Sequence, residues 1–426
     1  MLDRSLIEIE PRAVSPRRYR LLETLHQYAT ERLVEMGELE TFRARHAAYY
    51  QVWATKVIPE LQGTNRKSGL DRLEPEHDNL RAALRFLIDR QDADGVSRFC
   101  DALTQLWLLR GYIPEGRAWL TEILPLVEAS GCGADHARLL AIDGRLAHKQ
   151  SDWTGSVTRQ NQSLAIWRQL GDREGMASEL GRLGLTVRAM GDYVAARTFF
   201  EESLSLYREL GKEEEAGKQL DRLGVIAFYQ GDDATAQAFL AESLKIRRRL
   251  GDPYWLGWSL REAGMVAHGQ GDLATARSRL EEALLIWREL GYQEGVALAL
   301  ADFGDLLLDL DALAPARLVL TESLTLWRIY GGYLAIVEHD LECLGGLAGA
   351  EERVYRAVTL WGAAARLREM LGEPLPPNLK TRLERRMGPV RDALFADAFR
   401  QSWLEGQAMT VERAVVYALG DDGPNS

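Results

Sequence analysis

The side chains that could do chemistry are few, and their spacing does not serve it. The seven histidines form no HExxH pattern and no paired spacing with cysteine, so a metal site has no ligand set to draw on. His77 and His339 each sit in a Glu-His-Asp triplet. Successive helical residues point about 100° apart, so such triplets splay, and both histidines are expected to face solvent. There is no GxSxG elbow and no cysteine beside an orienting base, and Gly211-Lys212 has Leu206 where a phosphate loop needs its first glycine. The expectation is a protein that is not an enzyme and needs no cofactor.

Two recurring sets of side chains remain. Trp167, Tyr207, Arg247, Trp287 and Trp327 share one position at forty-residue intervals. Burying each large ring contributes about 1.5–3 kcal/mol, which predicts a core stripe, with Arg247 laying its stem on a neighbour and its head in water. The second set is Arg138, Arg145, His148 and Lys149, then Arg182 and Arg188, then Lys218, Asp221, Arg222, Phe228 and Tyr229, then Trp258, Arg261, Met265 and His268. These recur at the variable positions of the less regular helix in each unit. Two readings stand: a solvated face that carries arginines, or a groove for an acidic or carboxylate-ended peptide or a small anionic effector.

The elements that position both sets are repeats. GDYVAARTFFEESLSLYRELG from Gly191 returns as GDDATAQAFLAESLKIRRRLG from Gly231 and GDLATARSRLEEALLIWRELG from Gly271, a step of forty residues. Gly144, Gly184, Gly224, Gly264 and Gly304 keep the same step inside the preceding segment. Apolar and small residues at Ala196, Phe200, Ser203, Tyr207 and Leu210 follow helical spacing, and a second helix precedes each Gly-Asp turn. Such a hairpin cannot cover its own apolar face and must stack on its neighbours. A helix glycine costs about 1 kcal/mol relative to alanine, so five of them in register predict close helix approach.

The pattern resembles the tetratricopeptide repeat, with Leu183-Gly184 followed by Ala196 and Phe200, and Leu223-Gly224 by Ala236 and Leu240. In such arrays the variable positions of the first helix line the concave side, which places the basic and aromatic set in a groove. The phrases RYRLLETLHQYATERL (19–34), RHAAYY (45–50), LEPEHDNLRAAL (73–84), WLLRGYIPEGRAWL (107–120) and LWGAAARLREMLGEPLPP (360–377) further resemble the C-terminal half of bacterial STAND-class regulators. The resemblance implies an effector-sensing, protein-binding arm, with a winged helix and an ATPase module ahead of it; a free-standing scaffold is the alternative. The expected fold is an all-α, right-handed solenoid: 1–40 a partial winged helix of two strands and a helix, 41–130 divergent hairpins, 131–372 forty-residue repeats, and 373–426 capping helices and tail.

Bulk properties agree with a binding protein of the cytosol. With 52 basic and 63 acidic side chains the net charge is −11, which disfavours nucleic acid as a direct partner. Three dispersed cysteines indicate neither a disulfide framework nor a zinc knuckle. No apolar run is long enough for a membrane span, which needs about 18 residues or more.

Overall fold

A computed structural model describes residues 7–10, 18–57, 69, 72–109, 111–330 and 334–420. The stretch PRAVSPRR (11–18) reads as a turn, and all of it but Arg18 lies outside them. The chain divides into two compact units, Met1–Asp135 and His136–Ser426.

In the first unit β1 (Ile7–Glu10) pairs antiparallel with β2 (Arg18–Leu21), Ile7 opposite Leu21 and Glu10 opposite Arg18. Helix α1 (Glu23–Glu35) buries no residue, as expected of a piece too small for its own core. Helices α2 (Leu39–Val57), α3 (His77–Asp89), α4 (Ala93–Leu109) and α5 (Ile113–Ala129) follow, α2 packing on α3 and α4, and α4 on α5. His77 does not face solvent as its triplet predicts. It is 8% exposed, with Nε2 3.2 Å from Glu115 and its ring 4.1 Å from that of Tyr112, because the start of α5 covers the start of α3.

The second unit is a run of hairpins. The first helices are α6 (Gly133–Lys149, which begins at the boundary), α8 (Arg173–Ala189), α10 (Glu213–Tyr229), α12 (Pro253–Gly269), α14 (Gln293–Asp309) and α16 (Leu334–Ala350). The second helices are α7 (Trp153–Leu170), α9 (Tyr193–Glu209), α11 (Asp233–Leu250), α13 (Leu273–Glu289), α15 (Leu313–Tyr330) and α17 (Val354–Leu371). From α10 to α16 each first helix touches the next, so together they form one continuous inner wall.

The turn chemistry explains the Gly-Asp repeat. Gly191, Gly231 and Gly271 take φ of +85°, +78° and +84°, which an L side chain resists. Asp192, Asp232 and Asp272 then cap the second helix by accepting from the backbone N–H of Ala195, Thr235 and Thr275. A serine on the second helix ties four of the hairpins shut, Ala283 standing in its place in another: Ser163, Ser203, Ser243 and Ser323 donate to the carbonyls of Ala137, Ala177, Gly217 and Ala297 at 2.7–3.2 Å. The in-register glycines sit against large side chains. A Cβ on Gly184 would stand 2.5 Å from Phe200, and one on Gly264 2.8 Å from Leu280.

The aromatic row is core. Trp167, Tyr207 and Trp287 are buried, and Trp327 is half-buried. Arg247 departs from its expectation: its head is not in water, and the residue is 0% exposed. Its guanidinium lies 5.4 Å from the Trp255 ring centroid and 3.9 Å from Asp221, without a hydrogen bond among the described residues. Room for it comes from Gly217, where a Cβ would stand 3.0 Å from Cζ of Arg247.

Three helices end the chain: α18 (Pro377–Asp392), α19 (Ala396–Gln407) and α20 (Val411–Leu419). Helix α19 packs on α17, while α20 packs on α15, α16 and α17, so these two cover the last hairpin. Helix α18 instead packs on α16 and α17 and runs along the inner wall.

Two outcomes follow from this packing. Gly184→Ala, although it improves helix propensity, is expected to lower stability by about 1–3 kcal/mol because Phe200 must move, read as a reduced urea midpoint. Arg247→Tyr alone, which strands the buried Asp221, is expected to cost about 3 kcal/mol, and adding Asp221→Ala to restore the loss in full; a cycle of urea denaturations checks the pair.

Candidate functional site

The sequence-predicted residues lie on the first helices, but they do not form a uniform basic lining. Arg138 and Lys149 are exposed on α6. Arg145 is half-buried on the same helix, and burial, with Arg182 nearby, brings its guanidinium down to about 9. His148 holds Thr186 through Nδ1 at 3.1 Å and packs its ring on Trp153 at 5.1 Å; burial, then Lys149 and Arg188, lowers it to about 4. It is therefore a neutral structural histidine. Lys218 is spoken for by Glu214 and Glu215 at 3.0 and 2.7 Å and lies over Trp255. Phe228 is core, and Trp258 packs edge-on against Trp287 at 5.4 Å.

The remaining members converge. Arg182 pairs with Glu179 at 3.0 Å, and burial raises that carboxyl to about 7 against the pull of Arg182 and Arg145. Arg222 donates to Gln219 at 3.0 Å and lies over Phe200 at 5.6 Å. Arg188, Arg222, Tyr229, Arg261 and Glu262 feel one another's charge, and Arg261 pairs with Asp302 at 2.6 Å. Burial raises the Glu262 carboxyl even with these arginines beside it, and its Oε2 has no hydrogen-bond partner among the described residues.

One helix position, stepping along the wall, carries Arg182, Arg222, Glu262 and Asp302. The inner wall is thus polarised, basic toward α8 and α10 and acidic toward α14. The acidic members Glu262, Asp302, Asp305 and Asp309 were absent from the basic set, although Asp302 repeats the register of Arg182 and Arg222 and Asp309 that of Tyr229. Extending that register by one more repeat would have found them.

The segment that follows α17 lies on this wall. Ser151 donates to the carbonyl of Leu371, and a Cβ on Gly191 would meet Pro374 at 2.8 Å. Asn378 donates to the carbonyl of Phe228 at 3.2 Å. Farther along α18, Arg382 reaches Asp305 at 2.6 Å and Nδ1 of His268 at 3.3 Å. Arg386 reaches Asp305 at 2.5 Å and Asp309 at 2.6 Å. Residues 371–386 therefore touch one repeat after another at the carboxyl ends of the first helices, where the helix dipole favours cations. His268 is clasped between strap and wall: with Nδ1 accepting from Arg382, Nε2–H donates to Asp309 at 2.9 Å. Burial opposes ionisation of Asp305, yet Arg382 and Arg386 hold it well below the carboxylate range, and Asp309, against burial, is brought to about 2 by His268 and Arg386.

His339 does not face solvent either. It is half-buried, with Nε2 3.8 Å from Asp302 and 3.9 Å from Sγ of Cys343. Asp305, His339 and Cys343 gather their ligand atoms within 4.8 Å, the arrangement that could hold a metal ion. Arg386 already neutralises that carboxylate, and burial pushes the Cys343 thiol well up, so both features oppose a cation there.

The tetratricopeptide repeat family profile matches residues 144–209, 215–284 and 257–329. These residues are tetratricopeptide repeats, and the unit they build is an all-α repeat solenoid, an architecture that presents extended binding surfaces. More particularly, the chain is similar to named regulators. It is 29% identical over 191 residues to proteins of Mycobacterium bovis and Mycobacterium tuberculosis named as HTH-type transcriptional regulators, an overlap of 43% of this chain and 21% of theirs. The chain thus spans about a fifth of the length of those relatives. Among solved structures, it is similar to a signal transduction ATPase with numerous domains and a tetratricopeptide repeat sensor from Pyrococcus horikoshii, at 13% identity and a TM-score of 0.49, covering 95% of this chain and 59% of that one. It is also similar to a Rap protein complexed with Competence and Sporulation Factor, at 14% identity and a TM-score of 0.46, covering 85% and 99%. No helix among the described residues is long and apolar enough to cross a membrane.

The strap makes a pH prediction. A carboxylate whose folded pKa is depressed contributes stability above its unfolded value, near 4, and loses it as pH falls through the folded value. For Asp309 that window runs from the unfolded value down to about 2. Hydrogen exchange of the α18 amides should therefore show full protection at neutral pH and accelerate below it only in acid. Asp305→Asn with Asp309→Asn should expose α18 at neutral pH.

Proposed function

We propose that this chain is the sensing and partner-binding arm of a bacterial signal-transduction regulator, and that it binds without catalysing. The observation that carries the reading is the polarised inner wall: Arg182 and Arg222, then Glu262 and Asp302, at one register of successive first helices. A wall of this kind can orient an extended peptide end to end, with acidic groups over α8 and α10. Helix α18 supports the reading, since its arginines already dock on the acidic half. The basic half is what remains for a ligand from elsewhere, an acidic or carboxylate-ended peptide, a partner protein or a small anionic effector.

Two further observations support the wider assignment. The similarity to HTH-type transcriptional regulators favours a role in transcriptional control, in a longer protein whose ATPase module would receive the signal. Cys343 lies beside His339, and its burial keeps the thiol protonated, which favours binding over catalysis at that place. A cytosolic setting agrees with the free, mostly buried cysteines.

The test is a fluorescence-anisotropy titration of the whole chain against a panel of labelled acidic peptides with free carboxyl termini. Arg188, half-buried and with no ion pair within 4 Å among the described residues, is the cleanest position to perturb. Arg188→Glu should weaken the best peptide about tenfold or more, equivalent to about 1.4 kcal/mol, while Arg249→Glu on the outer helix α11 leaves it unchanged. Equal affinity for all three proteins would sink the groove assignment.

A further inference from the structure

Helix α18 has a second face. Arg382 and Arg386 turn toward the wall carboxylates, while Leu383 and Met387, one residue on and about 100° around the helix, line a pocket on the other side. The pocket lies between α17, α18 and α19 and holds about 780 Å³. That is the size of a small-molecule site, for which about 300–1,000 Å³ is usual. Its lining is largely apolar: Leu375, Leu383 and Met387 face Phe399 and Trp403, whose rings stack at 6.0 Å with an interplanar angle of 17°.

The wall formed by α17 and α19 is fixed by close backbone approach. A Cβ on Gly362 would collide with the carbonyl of Trp403, and one on Gly406 with that of Thr359. The cavity is thus a preformed feature of the packing, and its mouth is charged. Arg368 is held by Glu338 and Glu342, and Arg391 by Glu384 at 3.3 Å while it lies over Phe399 at 5.5 Å. Lys380 and Arg400 line the same mouth, are exposed, and have no ion-pair partner among the described residues. Two uncompensated cations over an apolar floor are unexpected on a chain of net charge −11.

We propose that this pocket is a binding site for a small amphiphile with an anionic head, its apolar body against Leu383, Met387, Phe399 and Trp403 and its carboxylate between Lys380 and Arg400. The head gains two cations that nothing else neutralises, and the body covers apolar surface that water now wets. Because α18 forms one wall of the pocket and its opposite face grips Asp305 and Asp309, an occupant also stabilises the strap. The site is separate from the peptide groove and does not depend on it.

The experiment is calorimetric titration of the whole chain with decanoate and with decyltrimethylammonium, both below their micelle concentrations, together with thermal unfolding. Decanoate should saturate a single site and raise Tm, and the cationic probe should bind about tenfold more weakly or worse. Lys380→Glu combined with Arg400→Glu, at exposed positions that leave the packing intact, should reduce decanoate affinity by a similar factor. Arg385→Glu, a single charge reversal on α18 outside this pocket, should leave it within about twofold of the parent. Equal binding of the two probes, binding that does not saturate, or indifference to the double reversal would each overturn the site.

Discussion

Everything in the second unit depends on how closely two helices can approach where one of them lacks a Cβ. At Gly184, Gly224 and Gly264 the backbone of a first helix lies against Phe200, Leu240 and Leu280 of its partner, at a separation that a methyl group would violate. That contact sets the depth of each hairpin. The serine bond from the second helix to a first-helix carbonyl then sets its rotation, and the Gly-Asp turn sets its hand-over to the next helix. Since these features return at forty-residue intervals, the serine yielding once to Ala283, successive first helices present equivalent positions to one face. The inner wall exists because the seam behind it is monotonous.

Upon that regular scaffold, charge is the variable. One position runs Arg182, Arg222, Glu262, Asp302, and the strap answers the acidic end with Arg382 and Arg386. The strap also follows the carboxyl ends of the first helices, so its polar contacts meet the helix dipoles as well as individual carboxylates. Binding chemistry and architecture are separated: the second helices and turns hold the stack, and the first helices are free to differ.

The fold was readable because its determinants are periodic. Turn glycines, buried serines and small residues opposite large ones repeat in register, and periodicity survives in sequence even where individual residues change. The site was half readable. Arg182, Arg188 and Arg222 stand on the inner wall as the register implies, but His148 and Lys218 are absorbed by Thr186 and by Glu214 and Glu215, neighbours that a positional rule does not weigh. The strap was not readable at all. Arg386 meets partners 81 and 77 residues away, and its helix, outside the repeat, carries no periodic signal linking it to them. His77 and Arg247 make the same point in reverse: local spacing describes a helix face and is silent on which element will cover it.

Arg247 has a meaning beyond its unusual burial. A chain built from near-identical hairpins invites mistaken partnerships, in which the second helix of one unit closes on the first helix of another, or of a second molecule. At the place that Asp221 fills, α6, α8, α12 and α14 carry Ala141, Gly181, Arg261 and Ala301, while α16, one residue out of step, carries Glu342, which Arg368 already holds. A buried guanidinium placed against any of the first four would meet no carboxylate at that place, a penalty of several kcal/mol that an aromatic residue would not incur. The one charged member of an otherwise aromatic row thus works as an address, telling α11 which of several look-alike partners is its own.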